Sequence, residues 1–496
     1  MKRTAEVSTL RRALLWLSVA ALVVGTLPLY AISFSNHPYY DDYGFSAGVH
    51  QAWTQEGTLG AVLSAAWESA RWTRENWQGT YTGTLLSNVQ PGVFSEGLYF
   101  LGTFVLLTAM IACFLYFFAV VFGRLGVDRT GRWTLGCLAV TLMIQFMPDV
   151  GEAFFWFNGG IGNIFVYSLM ALAAALMVRL AGAKGHAVGL TAALCLLMVL
   201  LGGGSYGGGL FGLCMLAVCL VWMLRVRHAR RWRFLGLTAL LLICFVYSMS
   251  APGNAVRAGV IGYQTSAVKA VLQSLYYGVA QMGAYVRLEL IAITLAVLPA
   301  LYRAAQKSPW RFSHPWLVLG LMGALYCAQM TPPLYSIASI GAGRIVNTYF
   351  VSFVALWFLA VYYLAGFAAQ RLGALSLTAR GYGALLGAAL CALALGCLAA
   401  KPEGEPLYGV QNLSGPSAAI SILSGEAAQY DAEMTLREQA LNDPAKPVVT
   451  LSPLTAVPDV FMDDLIAPDA AYDVRPSLEK YYGKEAVLIA GEEETP

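Results

Sequence analysis

The sequence predicts an all-α polytopic membrane protein with about eleven transmembrane helices. A long first outer loop carries interfacial helices, and a small outer α/β domain follows at the C-terminus. Three observations lead there. First, 58% of the 496 residues are hydrophobic and only 12% are charged, with a mean hydropathy of +0.61. Soluble chains run at about 45–50% apolar and roughly 25% charged, so a soluble enzyme, a disordered chain and a nucleic-acid binder are excluded. Second, apolar stretches close to the roughly 20 residues that cross a bilayer recur along the first 400 positions. Third, the net charge of +3 hides a split: residues 1–400 hold 25 Lys/Arg against 11 Asp/Glu, and residues 401–496 hold 6 against 17. A basic membrane domain (1–400) thus precedes an acidic extracytoplasmic one (401–496).

The spans read as 13–33, 98–122, 133–148, 161–180, 186–203, 208–224, 234–250, 286–302, 315–331, 348–369 and 382–399. The first has a basic leader and an apolar core like a signal peptide. Its core is long and no small-residue cleavage site ends it, so it reads as a retained helix. The fifth and sixth are short, and Gly202–Gly209 between them reads as a hairpin or a re-entrant break. All nine cysteines lie in apolar runs without a CxxC pair, which argues against a disulfide framework or a thiolate metal site.

Lys/Arg bias orients the spans. With the N-terminus cytoplasmic, 19 basic residues fall inside and only Arg71, Arg74, Arg257, Lys269, Arg287 and Arg344 fall outside. Of the 11 acidic residues, all but Glu6 and Asp128 lie on or near the outer face. An odd span count puts the tail outside, in the plasma or inner membrane of a cell. Polar chemistry therefore concentrates where no ATP is available, and no Walker A loop occurs.

The first outer loop, 34–97, opens on Tyr39-Tyr40-Asp41-Asp42-Tyr43. Carboxylates at this depth are costly unless paired, hydrogen-bonded or functional. Asp41 and Asp42 suit a general base or a metal ligand, or a helix cap in a solvated loop. Tryptophans at 53, 67, 72 and 77, with an amphipathic stretch over 58–78, suit helices in the membrane interface.

This layout resembles the GT-C superfamily of integral-membrane glycosyltransferases. The closest local likenesses, Tyr40–Tyr43, Ala251–Arg257 (APGNAVR) and Tyr481-Tyr482-Gly483, are similar to those of bacterial multi-pass proteins of that type. The resemblance implies acidic catalytic residues in the first outer loop, here Asp41 and Asp42. It also implies a polyprenyl-phosphate-sugar donor and an envelope glycan or lipid acceptor. Such chemistry needs cations for the departing phosphate. Arg257 and Arg344 are the preferred candidates, although interfacial anchoring explains most such arginines. Asp149, Glu152 and Trp156 suit sugar binding or an aromatic belt, and Tyr40 and Tyr43 flank the carboxylates. No cofactor is firmly implied. A divalent metal is compatible with the carboxylates, but His37 and His50 match no zinc spacing. Rival readings are a lipid-linked-sugar flippase without chemistry and an O-antigen-type polymerase or ligase.

In the tail, 401–406 reads as a linker, 416–442 as helical, and 447–451 and 486–490 as strands. Few large apolar residues occur there, so its fold is expected to lean on the membrane part.

Overall fold

The protein was analysed as a computed structural model that describes residues 2–263, 265–373, 378–400, 409–467, 470 and 472–491. Every predicted span falls on a helix. These are α1 (Lys2–Ile32), α5 (Phe100–Arg124), α6 (Arg129–Gln145), α8 (Ile164–Gly182), α9 (Val188–Gly202), α10 (Tyr206–Arg225), α11 (Arg231–Met249), α14 (Leu288–Gln306), α15 (Pro315–Ala328), α17 (Gly343–Leu372) and α18 (Ala379–Leu398). Among the described residues, nine helical segments are long and apolar enough to cross a bilayer, rather than eleven. The two that fall short are α6, with 17 residues, and α9, with 15. At 1.5 Å per residue, α6 covers only about 25 Å. It packs against α1, α5, α14 and α17, and most of its side chains are buried. Its moderate apolarity reflects a core position rather than a lipid-facing one.

In lipid, helices associate through close packing rather than through exclusion of water. Phe118 and Phe122 of α5 meet Phe358 and Tyr362 of α17, with ring centroids 6.2 and 6.4 Å apart. Large apolar side chains face outward where lipid would lie, among them Trp16 and Val24 on α1 and Ile243 and Val246 on α11. The segment between α11 and α14 holds two helices that the span reading left out, α12 (Pro252–Ile261) and α13 (Ala267–Tyr285). Exposed Val268, Leu272, Tyr276 and Val279 form an apolar stripe on α13. The glycine-rich segment is a turn between α9 and α10, where the Ser205 hydroxyl caps α10 by accepting from the Gly208 N–H.

The first long loop is itself helical: α2 (Asp41–Glu56), α3 (Leu59–Asn76) and α4 (Tyr81–Asn88) precede α5. α3 starts at Thr58, whose hydroxyl accepts from the Ala61 N–H, and it leaves Trp67 and Trp72 exposed. A π-helical turn over Gly151–Phe155 and the short α7 (Phe157–Ile161) connect α6 to α8. α16 (Thr331–Ile337) precedes α17.

The predicted linker 401–406 lies outside the described residues. The expected 416–442 helix is two, α19 (Ser414–Ser424) and α20 (Glu426–Asn442), broken at Gly425, whose φ is +85°. β1 (Val448–Leu451) and β2 (Ala486–Ile489) pair in parallel, with Val448 opposite Ala486, and α21 (Arg475–Tyr482) precedes β2. α19 packs on α1, and its Ser414 hydroxyl donates to the Ile144 carbonyl at 2.8 Å. α21 packs on α2, where Tyr43 and Ala47 complete a core with Leu441, Val449, Leu478 and Tyr481. The tail therefore folds onto the loop that carries the aspartates.

Candidate functional site

The two adjacent aspartates begin α2, and the backbone gives them opposite environments. Asp42 is fully buried. Its Oδ2 accepts from Tyr99 Oη at 2.5 Å and the Tyr39 N–H at 3.1 Å, and its Oδ1 from the Asn158 N–H at 3.0 Å. One carboxylate thus ties together the start of α2, the residue before α5 and the start of α7. Burial pushes its carboxyl up to about 7, against the pull of those hydrogen bonds. Asp42 is thus enclosed, with both carboxylate oxygens engaged by these three donors.

Asp41 is partly exposed, and its carboxylate makes no hydrogen bond among the described residues. Burial raises it to about 6, while the charges of Arg344 and Arg257 hold it down. The residue before it, Tyr40, has φ +38° and ψ −99°, a conformation that L-residues seldom adopt. Such strain is often kept at functional sites.

Arg344 lies in the first turn of α17. Its Nη1 is 3.0 Å from Glu152 Oε1, its backbone N–H donates to Glu152 Oε2, and its guanidinium sits 4.9 Å from the Trp156 ring. Asp149 holds the π turn in place by accepting from the Glu152 N–H at 2.8 Å. Asn347 brackets the Asp149 backbone at both its N–H and its carbonyl. The fit is tight: a Cβ on Gly343 would lie 2.1 Å from Asp149 Oδ2. Burial raises the Asp149 carboxyl to about 6.

Arg257 is held differently. Its Nη1 donates to Gln78 Oε1 at 2.6 Å, its guanidinium lies 5.2 Å from the Trp77 ring, and its Nε is buried without a partner. No carboxylate pairs with it among the described residues. Burial lowers its pKa from the usual arginine range, and repulsion from Arg344 adds to this, while Asp41 opposes it. α12 can approach Trp77 and Gln78 because Gly253 has no Cβ; one there would sit 2.4 Å from the Trp77 nitrogen. The Tyr206 hydroxyl bonds Asn254 at 2.6 Å and receives the Gly79 N–H, which fixes the same junction.

Asp41 thus feels the charges of both Arg257 and Arg344, and Glu152, Asp149 and Trp156 lie around Arg344. Tyr40 stacks on Tyr472 of the tail at 5.3 Å, and Tyr43 is buried against Tyr481 at 5.2 Å. Tyr39, Tyr40 and Tyr43 form part of the wall of a small cavity of about 50 Å³ between α2 and the tail, whose lining includes neither Asp41, Arg257 nor Arg344. The weaker cation candidates lie elsewhere. Arg287 pairs with Glu289 at 3.0 Å, and Lys269 is exposed on α13.

The histidines separate too. His50 stacks on Tyr481 with centroids 4.0 Å apart, and its Nδ1 contacts the Val93 carbonyl at 3.0 Å. His37 is buried beside Glu96, with Asp431 and Glu438 of α20 close by. Burial opposes charge on His37, but its hydrogen bond to Asp431 and the negative charges of Glu96 and Asp431 outweigh that and raise it to about 9. Sequence reasoning missed Glu96, Asp431 and Glu438 because nothing local marks residues that distant as neighbours. It also missed Tyr99, Gln78 and Tyr206. Only Asn254, three residues before Arg257 within APGNAVR, carried a signal.

No protein-family model, curated protein or solved structure matches the chain.

Proposed function

We propose that the chain is a membrane glycosyltransferase, of the kind the GT-C resemblance implies. It would move a sugar from a polyprenyl-phosphate-linked donor to an envelope glycan or lipid acceptor on the outer face. The observation that carries this reading is Asp41: a partly exposed carboxylate that makes no hydrogen bond among the described residues and is acted on by two arginines, one of which pairs with no carboxylate among them.

In this reading the acceptor hydroxyl attacks the anomeric carbon while Asp41 takes its proton. The new glycosidic C–O bond forms as the bond from that carbon to the phosphate oxygen breaks. The electron pair leaves on the phosphate, whose charge Arg257 and Arg344 meet. A carboxyl near 6 suits a general base at neutral pH, being mostly ionised yet not too weak to take a proton. Asp42 positions Asp41 through Tyr39 and Asn158, and Glu152 and Asp149 position Arg344.

The test is full-chain protein in proteoliposomes, offered tritiated undecaprenyl-phosphate hexoses and pentoses in turn together with envelope lipid extract. Release of undecaprenyl phosphate with transfer of label is expected, lost in Asp41→Asn. A flippase would carry label across the bilayer with the sugar–phosphate bond intact. That outcome, or full-rate transfer by Asp41→Asn, would sink the proposal.

A further inference from the structure

The His37 cluster stands apart from the residues assigned to sugar transfer, and its geometry is that of a ligand set. One ligand atom each from His37, Glu96 and Glu438 lies within 4.8 Å of the others. His37 and Glu96 are each only 7% exposed, yet among the described residues His37 Nδ1 and Glu96 Oε1 are buried without any hydrogen-bond partner. Buried polar atoms are rarely left so. The gap between His37 Nδ1 and Glu96 Oε2 is 3.6 Å. That is too long for a hydrogen bond. It is close to the roughly 3.4 Å edge of a tetrahedron whose metal–ligand bonds are about 2.0–2.1 Å.

The other face of the imidazole completes the pattern. His37 Nε2 lies 2.9 Å from Asp431 Oδ1. A ligating histidine characteristically donates its second N–H to a carboxylate, which fixes the tautomer that leaves the first nitrogen free for the ion. Charge points the same way. Three carboxylates surround one imidazole, and the adjacent cation on α20, Arg437, is committed to Asp464 at 2.8 Å and to the Ser452 carbonyl. With the proton displaced from Nδ1, the three ligands and a divalent ion sum to zero, which a buried site favours, and the remaining charge is that of Asp431, whose side chain is 45% exposed.

We propose that His37, Glu96 and Glu438 bind one divalent transition-metal ion, with Asp431 orienting His37, and that this ion staples α20 of the tail to the segment leading into Asp41. An imidazole with two carboxylates suits Zn²⁺ or Mn²⁺ better than Ca²⁺ or Mg²⁺, which take oxygen ligands. The fourth position is left to water. The site is independent of the transferase reading, because what it does is join two parts of the chain.

The test uses full-chain protein in nanodiscs, stripped with chelator and titrated separately with Zn²⁺ and Mn²⁺, with bound metal counted by mass spectrometry. Wild type is expected to bind one equivalent of one of these ions. Glu438→Gln, at a half-buried position that tolerates an amide, should weaken binding about 100-fold or more. Asp431→Asn keeps all three ligands and should weaken it by about 10–100-fold. Chelation should speed protease cleavage of the tail in wild type and leave Glu438→Gln unchanged. No stoichiometric binding of either ion at about 100 μM, or binding by Glu438→Gln as tight as in wild type, overturns the proposal.

Discussion

Asp41 and Asp42 are neighbours in sequence, and replacing each with asparagine should have opposite consequences. Asp42 accepts two backbone N–H groups, from Tyr39 on one oxygen and from Asn158 on the other. An asparagine there has one oxygen and one NH₂. Whichever way the amide turns, its NH₂ meets one of those N–H donors, leaving a buried donor without an acceptor. That costs about 1–3 kcal/mol, concentrated where α2, α5 and α7 meet. Hydrogen exchange reads such a loss locally: at 1.4 kcal/mol per factor of ten, amides in 38–46 and 156–160 should exchange about 5- to 140-fold faster. Asp41→Asn removes no hydrogen bond and should leave exchange within about twofold. The measurement is exchange mass spectrometry on nanodisc-embedded protein, with peptides from α14 and α17 as internal controls. If Asp42→Asn exchanges like wild type in these segments while Asp41→Asn loosens them, the division of roles is inverted and the argument from geometry fails.

Other expectations follow from the same residues. Transfer should show an acidic limb with a midpoint near pH 6, because the base must be ionised and Asp41 loses its proton as pH rises through that value; Arg344→Gln should move the midpoint upward in a pH–rate profile by removing a positive charge that favours the ionised form. Arg257→Gln should lower turnover by about 10²–10³-fold, as loss of one preorganised charge donor does elsewhere, with Arg257→Lys recovering only part, since lysine cannot span Gln78 and a phosphate with a planar fork. Gly343→Ala should displace Asp149, whose Oδ2 would lie 2.1 Å from the new methyl. Faster exchange over 149–157 and lower activity would report this, and unchanged values would refute it.

The helical segments were legible because span length and apolarity are local properties. That is why all eleven predicted stretches coincide with helices, and why α6 and α9 still fall short as spans: whether a short helix faces lipid or core depends on its neighbours. α13 was missed because its polar positions dilute an exposed stripe spaced at about one helical turn. The break at Gly425 hid inside a continuous helical pattern, since a single glycine is tolerated in many helices. At the site, scarcity of charge made Asp41, Arg257 and Arg344 legible: the Lys/Arg bias assigns only six basic residues of 1–400 to the outer side, so few combinations existed. What the sequence could not separate was Asp41 from Asp42, because only the fold decides which carboxylate the Tyr39 and Asn158 N–H groups claim. The His37 cluster was illegible for a related reason, since Glu96 and Glu438 arrive from the turn before α5 and from the tail.

The two arginines have different electrostatic partners, and this links the proton to the phosphate in the proposed reaction. Arg344 is already balanced by Glu152 at 3.0 Å. Among the described residues Arg257 pairs with no carboxylate, and the negative charge of Asp41 favours its charged form. While Asp41 is ionised, these four charges cancel, and the Asp149 carboxylate near Arg344 adds one negative charge only in so far as it is ionised in the same range. When Asp41 takes the acceptor's proton, it becomes neutral and leaves the charge of Arg257 uncompensated. In the same step, negative charge develops on the departing phosphate. Base and clamp are therefore coupled, and the site attracts the phosphate most strongly as the acceptor gives up its proton. Asp41→Asn fixes the site in that later charge state from the start. It should transfer no sugar yet bind undecaprenyl phosphate more tightly than wild type, by about tenfold for each 1.4 kcal/mol of attraction no longer cancelled. Binding measured by intrinsic tryptophan fluorescence, with Trp77 beside Arg257 and Trp156 beside Arg344 as natural reporters, gives the comparison. Weaker binding in Asp41→Asn than in wild type would show that Asp41 holds the ligand itself rather than masking the cation that does.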